Sequence, residues 1–398
     1  MIARVSTEGV SADVLSARAT CQSAEWLALL ECAAAGPKLD RPTRLGQGFF
    51  DWALFLRLAE EHRVVPLVTD RIKNAKHILV PVEIRDTLHK LQREQTFFAL
   101  QSTAELFRLL DRFAATRIET LLTKGPALSV RCYGDPGMRQ YADLDFIIRE
   151  ADIRRGTQVM LDSGYQPRVP LAAIDAKKLT GEYAFRKAGT DVLIEFHTER
   201  TFRYHPRPLE IEKLFARRAG VMIDGRQVPA LSIEDELILI CVHGAKHFWE
   251  RLMWIADVAA LIGRQPVDWD RTMTVANEVG AERILRLGLR LASDLLGTSL
   301  PRQVAAAVQS DRTVSKLAAQ IERSLPFGES NLGILQRAAF RVRMRGGFLP
   351  GIAYLLRLSL SPTEEDWSPG QEGNQRAFMD VLSRPIRLAK KHSRSSGK

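Results

Sequence analysis

The chain has 398 residues, 45% of them hydrophobic, which suggests two or three domains with a sizeable core and excludes a disordered polypeptide. Its 57 lysines and arginines against 47 aspartates and glutamates leave a net charge of +10, which favours anionic partners such as nucleotides or nucleic acid, although dispersed basic charge also serves solubility. The longest uncharged apolar stretch near the end, Gly346 to Leu356, falls far short of the ~20 residues of a spanning helix. Four cysteines (Cys21, Cys32, Cys132, Cys241) without Cys-x-x-Cys spacing or a leading signal-type segment fit a reduced cytoplasm.

Residues 1–114 read as a helical region, with apolar residues three and four apart in Trp26-Leu27-Leu29-Leu30, in Trp52-Leu54-Phe55-Leu58 and along Val82 to Phe113. Ser23 is placed as an N-cap, and His62-Arg63-Val64-Val65-Pro66 closes the second segment. Nothing in the spacing gives His62 or Arg63 more than a surface role.

A core over residues 115–230 follows, with a further helical domain expected at 231–340 and a helical extension with a basic tail at 341–398. In the core, a short apolar run at Leu121-Leu122 stops at Lys124-Gly125, and Pro126 suits the first turn of a helix. Gly134-Asp135-Pro136-Gly137 is a tight turn. The strand after it alternates faces, so Asp143 and Asp145 share one face while Leu144, Phe146 and Ile148 take the other. Two carboxylates ~7 Å apart on one face repel unless they are solvated at an exposed edge or neutralised by a hard divalent cation such as Mg²⁺.

Ala151 to Gly164 is amphipathic, and Tyr165-Gln166-Pro167 begins an extended piece. Two further β-runs, Glu182 to Lys187 and Asp191 to His197, are joined by a Gly-containing hairpin turn. In the second, Val192, Ile194 and Phe196 line one face and Asp191, Leu193, Glu195 and His197 the other, so that an antiparallel neighbour brings Glu195 to the two aspartates. Arg200 to Arg207, with Phe202 and Tyr204 interleaved, is either a contact for an anionic or aromatic acceptor or a solvated connector.

Ser232 caps the next helix, which carries His243 and His247 on one face, followed by Trp254 and Asp257. The acid of a zinc-protease His-Glu-x-x-His is missing, which leaves packed or capping histidines, or a functional role. Downstream, Asp268 caps a helix, an apolar run from Ile284 ends at Gly297, Arg341, Arg343 and Arg345 form a basic strip, and a basic tail covers Arg384 to Arg394.

Lys124-Gly125, then Tyr133-Gly134-Asp135-Pro136-Gly137-Met138-Arg139, Asp143-Leu144-Asp145, Glu195-Phe196-His197 and His243 to Asp257 together resemble the bacterial uncharacterised nucleotidyltransferase branch of the DNA polymerase beta-like nucleotidyltransferase superfamily. Lys124-Gly125 stands where the wider superfamily has Gly-Gly or Gly-Ser. The resemblance implies an α+β fold with a small mixed sheet flanked by N- and C-terminal helical regions. It implies transfer of a nucleoside monophosphate from a nucleoside triphosphate, ATP among the candidates, to an acceptor with release of pyrophosphate. Asp143, Asp145 and Glu195 would be the catalytic residues and the ligands of Mg²⁺ or Mn²⁺. Lys124, Gly125, Arg139, His197, Lys246 and His247 would bind the nucleotide, with Lys246 and Arg251 meeting triphosphate oxygens. Arg139 is a charge clamp, or else it stabilises the turn through Asp135 or Asp143. The acceptor, whether small molecule, sugar, peptide or protein, is not specified, and no recognisable RNA-binding module supports an RNA end. The alternative class is a non-catalytic nucleotide-binding or scaffold protein on the same fold.

Overall fold

The computed structural model describes residues 23–34, 45–74, 78–168, 182–198, 210–328 and 333–360. Cys21, the Arg200–Arg207 stretch and the basic tail lie outside them. Among the described residues the lead-in helices are α1 (Ala24–Ala33), α2 (Trp52–Glu61), α3 (Val65–Asn74) and the long α4 (Val82–Ala115). The Ser23 hydroxyl accepts from the Trp26 amide as expected of an N-cap.

The sheet opens with β1 (Thr120–Thr123), entirely buried, and turns at Lys124 and Gly125 into α5 (Gly125–Tyr133). Pro126 sits in the first turn, where its missing N–H costs nothing, and Gly134 closes the helix with φ 85°, which no side chain adopts comfortably. Asp135 then accepts from the Gly137 amide and starts the 3₁₀ turn Pro136–Met138 that leads to β2 (Asp143–Ile148). The chain continues through α6 (Ile153–Asp162), β3 (Gln166–Pro167), β4 (Glu182–Arg186), β5 (Leu193–His197), α7 (Ile211–Ala216), β6 (Ala219–Ile223) and β7 (Arg226–Ala230).

These strands form one seven-stranded mixed sheet in the order β3-β4-β5-β2-β1-β7-β6, and the fold is α+β. One expectation is corrected: β5 runs parallel to β2, not antiparallel. Helix α6 carries the chain back to the starting edge of the sheet, and the two antiparallel steps β3–β4 and β4–β5 then preserve direction. Side-chain alternation is the same in either direction, so Asp145 still pairs with Glu195, and on its other side Asp145 pairs with Thr123 of β1.

Leu144, Phe146 and Ile148 of β2 are fully buried with Ile194 and Phe196 of β5 under α4 and α6. Phe113 of α4 meets Phe146 and Phe196 edge-on at 5.5 and 5.8 Å. The opposite face of the sheet, carrying Leu121 and Ile147, packs in a second core with α8 (Ile233–Lys246), α9 (Leu252–Arg264), α10 (Trp269–Glu278) and α11 (Glu282–Leu296). Trp26, Leu29 and Phe55 of the lead-in helices join this same core, so described helices from before and after the strands meet beside the sheet. Ser232 caps α8, Asp268 caps α10 and Gly297, at φ 66°, ends α11, each as its sequence signal indicates. Helices α12 (Arg302–Ser310), α13 (Arg312–Ser324), α14 (Ile334–Arg343) and α15 (Phe348–Leu360) complete the described chain. Among the described residues no helix is long and apolar enough to cross a membrane.

Candidate active site

The acidic face of β2 opens at its N-terminal end on a cleft of about 710 Å³. That volume is in the range of small-molecule sites. One wall is the turn from β1 into α5 and the segment before β2, supplying Lys124, Arg139, Gln140, Tyr141 and Asp143. The other is the end of α8 and the start of α9, supplying His243, His247, Arg251 and Trp254, with Arg63 from the corner between α2 and α3.

Behind Asp143 the chemistry concentrates on Asp145, which is 1% exposed. Its Oδ1 lies 2.6 Å from His197 Nε2, and its Oδ2 accepts from the Lys124 ammonium at 3.0 Å. Glu195 Oε2 is 3.6 Å from the same imidazole nitrogen. Donor atoms of Asp145, Glu195 and His197 lie within 4.8 Å of one another, close enough to hold one metal ion. Asp143 is outside that set and instead faces the cleft. His197, which the resemblance makes a nucleotide-binding residue, therefore sits among the acidic groups.

The electrostatics follow from burial and neighbours. Burial would raise the Asp145 pKa, but Lys124 and His197 outweigh it and hold the carboxyl well below the usual range. Burial and the Asp145 charge raise Asp143, against the pull of Lys124 and Arg139. Glu195 is pushed up to about 7 by burial and then by Asp145. Burial would lower Lys124 and His197, yet the Asp145 carboxylate leaves both raised. Lys124 thus supplies a positive charge among carboxylates, where a divalent cation would do the same.

Lys124 is held there by its backbone, at φ 51°. Its amide donates at 2.9 Å to Glu236, a fully buried carboxylate of α8 that also accepts from Thr123 Oγ1 at 3.2 Å and lies 3.8 Å from Arg131. Gly125 follows at φ 43°, and a Cβ there would meet the Asp143 carbonyl oxygen at 3.4 Å. Glu236 escaped the sequence reading because it looks like an ordinary acid in the first turn of a helix.

Arg139 lines the cleft, but its partner is neither Asp135 nor Asp143. Its Nε donates to Asp257 at 2.9 Å, both side chains are buried, and Tyr133 OH donates to the other Asp257 oxygen at 3.0 Å. One buried carboxylate therefore ties the Tyr133–Arg139 turn to α9.

Of the helical wall, His243 and His247 line the cleft and Lys246 does not. Lys246 is turned about the helix into a separate small cavity with Phe340 and Arg341. Burial, and then Lys124 for His243 and Lys246 for His247, lower both imidazoles, His247 to about 4, so both are neutral at pH 7. Their rings lie 4.8 Å apart and stand 5.4 and 5.2 Å from Trp254. This is an uncharged aromatic surface facing the acidic strand.

Because Glu195 must lose its proton to bind a cation, Mn²⁺ affinity of the chelator-treated protein should rise with pH by about tenfold per unit in the range below about 7. In the metal-free protein the same group contributes stability below about 4.5 that is lost as pH rises to about 7. Isothermal titration checks the first, with Glu195→Gln expected to flatten the profile.

Residues 49–297, more than half of the chain, match a family model described as an uncharacterised nucleotidyltransferase. No curated protein matches the chain. Among solved structures, the crystal structure of an antigenic nucleotidyltransferase-like protein from Paracoccidioides brasiliensis is 15% identical over 56% of this chain and 93% of its own, with a TM-score of 0.33. So distant a likeness supports no inference about chemistry. The family match, by contrast, begins just before α2 and ends at the glycine that closes α11, enclosing both walls of the cleft, and the chain belongs to the uncharacterised nucleotidyltransferase family.

Proposed function

We propose that this protein is a metal-dependent nucleotidyltransferase on a polymerase beta-like core spanning residues 115–230, moving a nucleoside monophosphate from a nucleoside triphosphate to an acceptor with release of pyrophosphate. The observation that carries the reading is the pairing of Asp145 with Glu195 on adjacent strands, with Asp143 next along the same face at the cleft. The donor set fits a divalent cation: carboxylate oxygens and one imidazole converge, and the Lys124 ammonium already stands in for a positive charge on Asp145. Asp143, Asp145 and Glu195, with His197 beside them, would hold Mg²⁺ or Mn²⁺, which when bound stabilise the attacking and leaving oxygens of the transfer.

The chain's own groups supply the rest. Glu195, a carboxylate beside Asp145 on the acidic face, is suited to take a proton from the acceptor nucleophile. Lys124, at the start of α5, lines the cleft, where its ammonium would meet phosphate. Neutral His243 and His247 with Trp254 offer a face on which a nucleobase stacks. The three described cysteines are free and buried, in keeping with a cytoplasmic location.

One observation favours the non-catalytic alternative: both Asp145 oxygens are engaged by side chains of the chain itself. The two readings separate in one experiment. Nucleoside triphosphates labelled at the α-phosphate are incubated with the protein, Mg²⁺ or Mn²⁺ and cell extract. Metal-dependent label transfer to an acceptor supports the enzyme, and tight nucleotide binding without any transfer supports the alternative.

A further inference from the structure

Three of the seven charged residues that line the cleft among the described residues are committed elsewhere within it or behind it: Lys124 pairs with Asp145, Arg139 with Asp257, and Asp143 belongs to the acidic strand face. Glu61 and Glu250 lie near Arg57 and Arg337, at 3.9 and 3.7 Å. Arg63 and Arg251 remain, and among the described residues neither has a carboxylate within ion-pair distance.

Their closeness is built in. His62, fully buried, accepts from the Leu252 amide at Nδ1 (3.2 Å) and from the Met253 amide at its carbonyl oxygen (3.3 Å). It thereby satisfies two of the orphan donors at the start of α9 and clasps the α2–α3 corner to that helix. The flanking residues, Arg63 and Arg251, are carried to the same rim. Burial keeps His62 neutral, which leaves Nδ1 able to accept, and burial together with the Arg251 charge lowers the Arg63 pKa. Arg63 also holds φ 54°, a conformation that costs a non-glycine residue energy and persists where packing over-determines it. Arg251 lies over the Trp254 ring at 5.6 Å. Two guanidinium groups without an ion-pair partner among the described residues line one cleft, where the Asp143 charge offsets only part of their repulsion at Arg63, and their planar forks match phosphate oxygens.

We propose that Arg63 and Arg251 form a phosphate clamp at the mouth of the cleft, taking the diphosphate end of the bound nucleotide and of the pyrophosphate that leaves. The assignment of the phosphate to the nucleotide rests on the nucleotidyltransferase reading; the clamp itself rests on the two guanidinium groups. Asp143, in the same cleft, puts the clamp within reach of the reacting end of the site.

The test is a titration with pyrophosphate in chelator, which removes metal-mediated binding, on wild type, Arg63→Gln and Arg251→Gln, with thermal unfolding in parallel. Each substitution should weaken pyrophosphate binding by about ten- to a hundredfold. Arg63→Lys, which keeps the charge but not the fork, should recover only part of the loss. ATP present at saturation should exclude pyrophosphate from the wild type. Folded variants that bind pyrophosphate as the wild type does would overturn the clamp, and so would a wild type that binds none. Pyrophosphate binding alongside ATP would overturn its assignment to the nucleotide and give the clamp to a phosphorylated acceptor. Loss of binding in the arginine variants, with no label transfer by wild type, would retain the clamp and remove the transferase reading instead.

Discussion

Asp145→Asn is expected to lower nucleotide transfer by about 10³-fold or more, because the amide keeps the shape of the side chain but removes the charge that recruits the cation. It should also destabilise the metal-free protein by about 3 kcal/mol, since removing one member of a buried ion pair leaves the other uncompensated. Here both Lys124 and His197 would be stranded. Asp143→Asn should lose activity comparably yet keep or gain stability, because burial and Asp145 both work against the Asp143 charge. From sequence alone the two aspartates look equivalent and either asparagine would leave folding intact; the structure separates them. Activity and urea denaturation on the two variants side by side check this. A larger stability loss in Asp143→Asn than in Asp145→Asn would contradict the assignment of charges.

Asp257→Ala carries the second large effect, on stability. Its carboxylate is 1% exposed, and it accepts from Arg139 and Tyr133 across an interface between the turn before β2 and helix α9. Loss of it leaves the buried Arg139 guanidinium unpaired and should cost about 3–5 kcal/mol. Since Arg139 also lines the cleft, bound nucleotide should restore less stability to this variant than to wild type. A change below about 1 kcal/mol in denaturation would show that Arg139 finds another partner and that the pair does not hold the two walls together.

What the residues announce on their own is local. The alternation of Asp143 and Asp145 against Leu144, Phe146 and Ile148 follows from strand geometry, and the caps at Ser23, Ser232 and Asp268 follow from side chains that bond the next few amides. What escaped is set by partners far along the chain. Strand β5 is parallel because α6 reverses the path, which no feature of Leu193 to His197 records. Arg139 finds Asp257 at a separation of 118 residues. Arg63 looked like surface because its importance comes from a positive φ and from His62 gripping α9, neither of which leaves a periodic signal. Lys246 and His247 are neighbours in sequence, but about 100° of helical rotation separates adjacent side chains, so one entered the cleft and the other did not.

The proposed function requires the acidic face of β2 and β5 to hold a catalytic cation. Crystals of the protein grown with Mn²⁺ and a non-hydrolysable nucleoside triphosphate test it through anomalous diffraction. The expected result is an anomalous peak within coordinating distance of Asp145 and Glu195, with the Lys124 ammonium displaced from Asp145. A Lys124–Asp145 pair intact at saturating Mn²⁺ and nucleotide, with no anomalous density between β2 and β5, would contradict it.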